Sequence, residues 1–110
     1  MQTFFQHIRF SNGAALTIAV SHTGQDTATA GFAWCSPTDN FCRAKGRLLA
    51  EGRMKSKKYA WGFPIEDGRQ NSLLKAARDY LLCQEAAYYR VWPQRDWADE
   101  AYEEFTSMNG

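Results

Sequence analysis

No apolar run in this sequence approaches the roughly 20 residues that a helix needs to cross a bilayer. The opening residues, MQTFFQHIRF, lack the charged start and long apolar stretch of a signal peptide. A soluble cytoplasmic protein is therefore expected. Cysteine is scarce and badly spaced for zinc: Cys35, Cys42 and Cys83 are odd in number, with six residues between the first two. The two histidines, His7 and His22, add no ligand pattern. No metal and no cofactor are expected, and reduced, mostly buried thiols are the default. Catalytic motifs are missing as well. There is no G-x-S-x-G, no phosphate-binding glycine loop with lysine, and no H-E-x-x-H. A histidine paired with Cys35 would give a base and a nucleophile. His22 falls near a turn and Cys35 at a strand end, so a meander need not bring them together. Glu66 and Asp67 fall in a turn, where carboxylates simply solvate. No residue set fills the roles catalysis demands, so no enzyme is expected. Internal repeats, linkers and low-complexity segments are also absent.

What is present is a folded chain rich in rings. Its 110 residues fit a single domain spanning 1–110, with room for a modest core. Hydrophobic residues make up 45% and aromatics 15%, which excludes a disordered chain and leaves aromatics to spare for a surface.

The net charge of +1 hides an uneven distribution. Residues 43–58 hold seven of the thirteen bases (Arg43, Lys45, Arg47, Arg53, Lys55, Lys57 and Lys58) against one acid, Glu51. Residues 96–104 hold five of the twelve acids (Asp96, Asp99, Glu100, Glu103 and Glu104) and no base. Either segment can face a partner, or the two can face each other.

The first third alternates with a period of two, which places alternate side chains on one sheet face. Phe4, Gln6, Ile8 and Phe10 share one parity; so do Leu16, Ile18 and Val20; so do Ala28, Ala30, Phe32 and Trp34. Turn residues Ser11-Asn12-Gly13 and Thr23-Gly24-Gln25-Asp26 separate them. Three antiparallel strands follow, near 3–10, 14–22 and 27–35. A helix is expected next, capped by Ser36, with Pro37 first and Asp39 third. Phe41, Ala44 and Leu48, with Leu49 beside them, form its sheet-facing stripe. Gly46 and Gly52 suit close approach by another backbone or a helix end near Gly52. Tyr59, Trp61, Phe63 and Ile65 then alternate as a fourth strand, and Pro64 confines it to an edge. A long helix from about Ser72 to Arg90, capped by Asn71, buries Leu74, Ala77 and Leu81. A short one over 96–106 aligns Trp97, Ala101 and Phe105. The expected architecture is α+β: a small antiparallel sheet, three-stranded meander plus fourth strand, covered on one face by helices in the order βββ-α-β-α-α.

The basic segment is the leading functional candidate. Arg43 and Arg47 are one helical turn apart and point away from the Phe41 stripe, while Lys45 flanks it. Arg53, Lys55, Lys57 and Lys58 extend the charge into the next strand. Arginine suits bidentate recognition of phosphate or carboxylate. Tyr59 and Trp61 follow directly, and bases interleaved with aromatics suit single-stranded nucleic acid. Tyr59, Trp61 and Phe63 share one face, however, and are most simply read as core. A second candidate surface is acidic, at Glu103 and Glu104, which fall late enough in their helix that its dipole does not account for them. Acidic clusters can dock on a basic protein or imitate nucleic acid.

The segment Ser36-Pro37-Thr38-Asp39-Asn40-Phe41-Cys42-Arg43, followed by Gly46-Arg47, Ala50 and Gly52-Arg53, resembles small uncharacterised proteins of phages and prophages. The size and mixed charge also resemble, by type and not by motif, the anti-CRISPR proteins. That resemblance implies a non-enzymatic inhibitor of a host nuclease or ribonucleoprotein complex, such as a CRISPR effector, acting as a monomer or homodimer. It implies that nucleic-acid loading or cleavage is blocked, and it carries over no functional residue. The alternative is a small nucleic-acid-binding module using residues 43–58.

Overall fold

The computed structural model describes residues 2–24, 26–56, 60–65, 69–83, 92–93 and 95–109, with the backbone alone at 61, 82, 83 and 109. Strands β1 (Thr3–Arg9), β2 (Ala15–His22) and β3 (Thr27–Cys35) precede helix α1 (Arg43–Lys55). Strand β4 (Trp61–Pro64) and helices α2 (Gln70–Cys83) and α3 (Asp96–Asn109) complete the order βββ-α-β-α-α. All four strands form one antiparallel sheet in the order β1-β2-β3-β4. The short β4 is an edge, as its proline requires.

The β1–β2 turn follows from its residues. Gly13 takes a φ of 95°, a backbone conformation that L side chains rarely adopt, and its N–H donates to the Phe10 carbonyl at 3.0 Å. Asn12 Oδ1 accepts from the Ala14 N–H at 3.0 Å. These bonds fix a register that sets His7 opposite Thr17 and Arg9 opposite Ala15.

One parity of the sheet carries the main core. Ile8, Phe10, Leu16, Ile18, Val20, Ala28, Ala30 and Phe32 pack there with Leu73, Leu74, Ala77 and Leu81 of α2 and Ala101 and Phe105 of α3. Trp34 is half-buried against the same core, within ring contact of Phe10, Trp92 and Trp97. Each fully buried Leu or Phe contributes about 1.5–3 kcal/mol. Arg78 of α2 adds a polar tie, donating from Nη1 to Gln6 Oε1 at 2.6 Å.

The other parity is covered too, so the helices do not all share one face. Ala15, Thr17, Ala19 and Ser21 of β2 are buried, as are Leu16, Ile18 and Val20 between them. A strand buried on both parities needs a layer on each side. That second layer is α1, whose Ala50 and Met54 pack on Ala19 and Ala33, with Phe5 at the margin.

This layer corrects three expectations about α1. The helix starts at Arg43, not after Ser36; Cys42 is its cap residue and makes no side-chain capping bond. The residues expected to cap it close a turn instead. Ser36 Oγ donates to Asp39 Oδ2 at 2.9 Å, and the Asp39 N–H donates to the Ser36 carbonyl at 3.1 Å. The expected sheet-facing stripe is also turned outward: Ala44 is exposed, Leu48 is 76% exposed and Leu49 42%. The sheet side is made of Gly46, Ala50 and Met54 at a spacing of four. The physical reason is volume. The floor under α1 is alanine, threonine and glycine, so the helix comes close and only small residues fit between. A Cβ built on Gly31 of β3 would meet Ala50 and Met54 backbone, with the Met54 Cα at 2.8 Å. A Cβ on Gly46 would lie 2.5 Å from Thr17 Oγ1. Close approach therefore holds for Gly46, though to the Thr17 side chain rather than to another backbone, whereas Gly52 is exposed, a Cβ there would meet nothing within 4 Å, and the helix runs past it to Lys55.

Elsewhere the bounds shift slightly: β1 ends at Arg9, β2 starts at Ala15, and β4 ends at Pro64, leaving Ile65 outside the strand. Helix α2 begins at Gln70, one residue before its expected cap, and its expected part beyond 83 lies outside the described residues. Helix α3 continues to Asn109. Among the described residues, no helix is long and apolar enough to cross a membrane.

Candidate interaction surface on helix α1

The surface is built by the first two turns of α1 lying across β1, β2 and β3. Strand parity puts His7 and Arg9 on the α1 side of β1. His7 Nδ1 is hydrogen-bonded to Thr17 Oγ1 at 2.8 Å. The Phe41 ring stands edge-on to His7, with centroids 5.4 Å apart, and the Arg9 guanidinium lies 5.3 Å from the Phe41 centroid. Arg43 and Arg47 approach from the helix. His7 is held below its ordinary pKa near 6.5, first by burial and then by repulsion from Arg43 and Arg47. Phe41, expected in the core stripe, is half-buried and joins a cationic cluster of Arg9, Arg43 and Arg47.

Beside the cluster lies a cleft of about 330 Å³. Thr17, Ala33 and Cys35 come from the sheet, Asp39 to Cys42 from the connecting segment, and Lys45, Gly46 and Leu49 from α1. Cys35 Sγ donates to the carbonyls of Ser36 and Asp39 at 3.6 and 3.7 Å. Its thiol is pushed above the usual range, first by burial and then by Asp39, with Lys45 and Arg9 opposing. A thiol held protonated is a poor nucleophile. Thr17 is 1% exposed, and the bond of its hydroxyl to His7 fixes the ring. Among the described residues, no group of three or more His, Cys, Asp or Glu side chains is placed to hold a metal ion.

The sequence candidates separate into distinct roles. Arg43, Lys45 and Arg47 are exposed on the first turns of α1. Arg53 is not a free contact residue. It is half-buried and donates from Nη1 to the Phe32 carbonyl at 2.7 Å. Among the described residues, β4 pairs with β3 across Thr27–Ala30. Lys55 is exposed and pairs with Glu51 at 3.0 Å, a surface contact worth about 0.3–0.5 kcal/mol. Lys57 and Lys58 lie outside the described residues, as does Tyr59.

The acidic candidates also divide. Glu104 accepts from the Ser11 N–H through both carboxylate oxygens, at 3.2 and 3.1 Å, and from the Ser11 hydroxyl. Asn12 Nδ2 donates to the Trp97 carbonyl at 3.0 Å and reaches Glu100 Oε2 at 3.5 Å. Those bonds fasten α3 to the β1–β2 turn, so Glu104 has a structural task. Glu103 is exposed. Because α1 and α3 pack on opposite sheet faces, the described basic residues of α1 and the acids of α3 do not face each other.

Sequence reasoning missed His7, Arg9 and Phe41 as members of the surface. Parity had placed His7 and Arg9 opposite the main core, but not under a helix. Comparison of the chain with protein-family models, curated proteins and solved structures gives no match.

Proposed function

We propose that this protein is a non-enzymatic accessory protein of the phage type, an inhibitor that docks on a host defence nuclease or its ribonucleoprotein complex through the outer face of α1. The observation that carries this reading is Leu48. It is 76% exposed in the middle of a helix that also presents Arg43, Lys45 and Arg47. An exposed leucine among arginines suits a protein interface, where an apolar anchor fills a pocket and charged neighbours steer and orient it. A phosphate backbone offers such a leucine nothing. A nucleoprotein complex presents both acidic protein and phosphate, which the arginines can engage bidentately. Occupation of that surface would keep nucleic acid from loading or from being cut.

A direct nucleic-acid-binding module is the second reading, and one observation favours it. Arg9 lies over the half-buried Phe41 ring with Arg43 and Arg47 nearby, a cationic cluster around an aromatic. Such clusters hold phosphates while a base stacks. A salt titration separates the two. Phosphate contacts make affinity for bare DNA or RNA fall steeply with salt. Retention of a defence effector with no binding to bare nucleic acid at low salt supports the inhibitor. Binding to bare nucleic acid without any effector supports the module.

A further inference from the structure

We propose that the free edge of β1 pairs antiparallel with the β1 edge of a second copy of this chain, so that two four-stranded sheets join across a two-fold axis. The two edges of the sheet are unlike. The β4 edge is four residues long and ends in Pro64, which cannot donate to a further ladder. The β1 edge runs for seven residues, TFFQHIR, with no proline, glycine or lysine and with Arg9 as its one permanent charge. Monomers usually guard such an edge with proline, a bulge or inward charge. The β1 register with β2 is unbroken from Thr3 to Arg9, and among the described residues no strand lies beyond it. The register also shows which backbone groups are free. The Phe10 N–H donates to the Ala14 carbonyl at 2.9 Å. Closely spaced pairs recur at every second residue of an antiparallel ladder, so Ile8, Gln6 and Phe4 turn their N–H and C=O toward β2. Thr3, Phe5, His7 and Arg9 turn theirs outward, and among the described residues none of these main-chain groups has a partner.

The outward set is self-complementary, which selects a second copy as the occupant. With Gln6 of each copy at the axis, Thr3 lies opposite Arg9 of the second copy and Phe5 opposite its His7, and each pairing occurs twice. Four pairs with two bonds each give about eight hydrogen bonds. Sliding the strands by two residues loses a pair and sets Phe5 on Phe5 or His7 on His7. In the full register no like charges stand opposite each other. The alternate parity puts Phe4 opposite Ile8 of the second copy. Phe4 is half-buried at the margin of the main core, and the pairing covers it. Phe5, at the margin of the α1 layer, meets an imidazole. Gln6 keeps its bond from Arg78 within each copy, so that guanidinium is already engaged at the axis. The contact is isologous and closes at two copies. It does not rest on the docking reading above. Leu48 points away from the sheet, so the dimer leaves the proposed docking face open on both copies.

Sedimentation and amide hydrogen exchange of the full chain, from about 10 μM to about 1 mM, test the proposal. The mass should rise with concentration from 12.5 kDa to twice that value and stop there. Main-chain bonds and apolar contacts hold the pair, so it should persist at about 500 mM salt. Exchange at the outward amides of Phe5 and His7 should slow as the dimer forms, while the amides of Phe4, Gln6 and Ile8 stay protected throughout. Phe5→Pro removes an outward N–H and no bond to β2, so the variant should fold and stay monomeric. Leu48→Asp should dimerise as the wild type does, which keeps this test separate from that of the docking face. A mass of 12.5 kDa at every concentration overturns the proposal, as does growth beyond two copies. So does a dimer in which the Phe5 and His7 amides still exchange freely, or a folded Phe5→Pro that still dimerises. If Phe5→Pro fails to fold, the exchange pattern of the wild type decides. Protection of those amides only when an unrelated protein is bound, at one copy of this chain, assigns the edge to that protein and overturns the self-pairing.

Discussion

His7 and Thr17 face each other across β1 and β2, and their side chains meet at 2.8 Å beneath the first turns of α1. The pair places an imidazole among the arginines of the proposed docking face, and that makes it a reporter. Burial and the charges of Arg43 and Arg47 lower its pKa. The unfolded chain therefore holds more protons than the folded one between the depressed value and about 6.5. Stability should rise with pH through that window and fall as pH drops below about 6.5. Denaturant melts between pH 5 and 7.5 should show this slope, and His7→Gln should flatten it.

The same ring should sense ligand. An anionic partner that neutralises Arg43 and Arg47 removes part of the repulsion. The His7 pKa should then move up when the partner binds, although burial, the larger cause, keeps it below the ordinary value. NMR titration of the His7 ring with and without partner reads this directly. A partner that leaves the His7 titration unmoved docks elsewhere.

Gly31 sets the distance between α1 and the sheet. An added Cβ would meet the Ala50 and Met54 backbone, which has no flexible end to move aside. Gly31→Ala should cost on the order of 1–3 kcal/mol or more, as overpacking does. Gly52→Ala should instead stabilise the helix by up to about 1 kcal/mol, since the site is open and alanine is the better helix former. Paired denaturation curves with unchanged slopes check both signs.

Arg53 and Glu104 were charged candidates that the fold employs internally. Arg53→Ala should lower stability by about 1.5–3 kcal/mol, the usual scale for a hydrogen bond to a charged group. Glu104→Gln should lower it by about 1 kcal/mol through weaker bonds to Ser11. Neither change should weaken docking once the variant is folded. Binding measured well below each variant's unfolding midpoint separates the two effects.

Much of the sheet was legible because alternation is a strong signal with one physical cause. Leu16, Ile18 and Val20 announce their face, and Asn12-Gly13 announces the turn. Helix α2 was legible from Leu74, Ala77 and Leu81, and α3 from Ala101 and Phe105. Helix α1 was not, because apolarity is the wrong guide where a helix lies close on small residues. Leu48 and Leu49 are more apolar than Gly46 and Ala50, yet only the smaller pair fits over Thr17 and Gly31. The missing cue was volume, readable from the run of alanine, threonine and glycine on one parity of β2 and β3. The same misorientation hid the surface. With α1 turned correctly, its outer leucine is exposed and His7, Arg9 and Phe41 gather at the edge of the helix.

The central claim is that the outer face of α1 docks on a nuclease or nucleoprotein partner, and Leu48→Asp tests it most directly. The wild-type chain and the variant, both shown to be folded, are passed over a panel of immobilised CRISPR effector complexes with and without bound guide RNA. The account predicts that one effector retains the wild type, loses nucleic-acid cleavage in its presence, and does neither with Leu48→Asp. Retention of Leu48→Asp at wild-type affinity, or failure of every effector to retain the wild type, would contradict it.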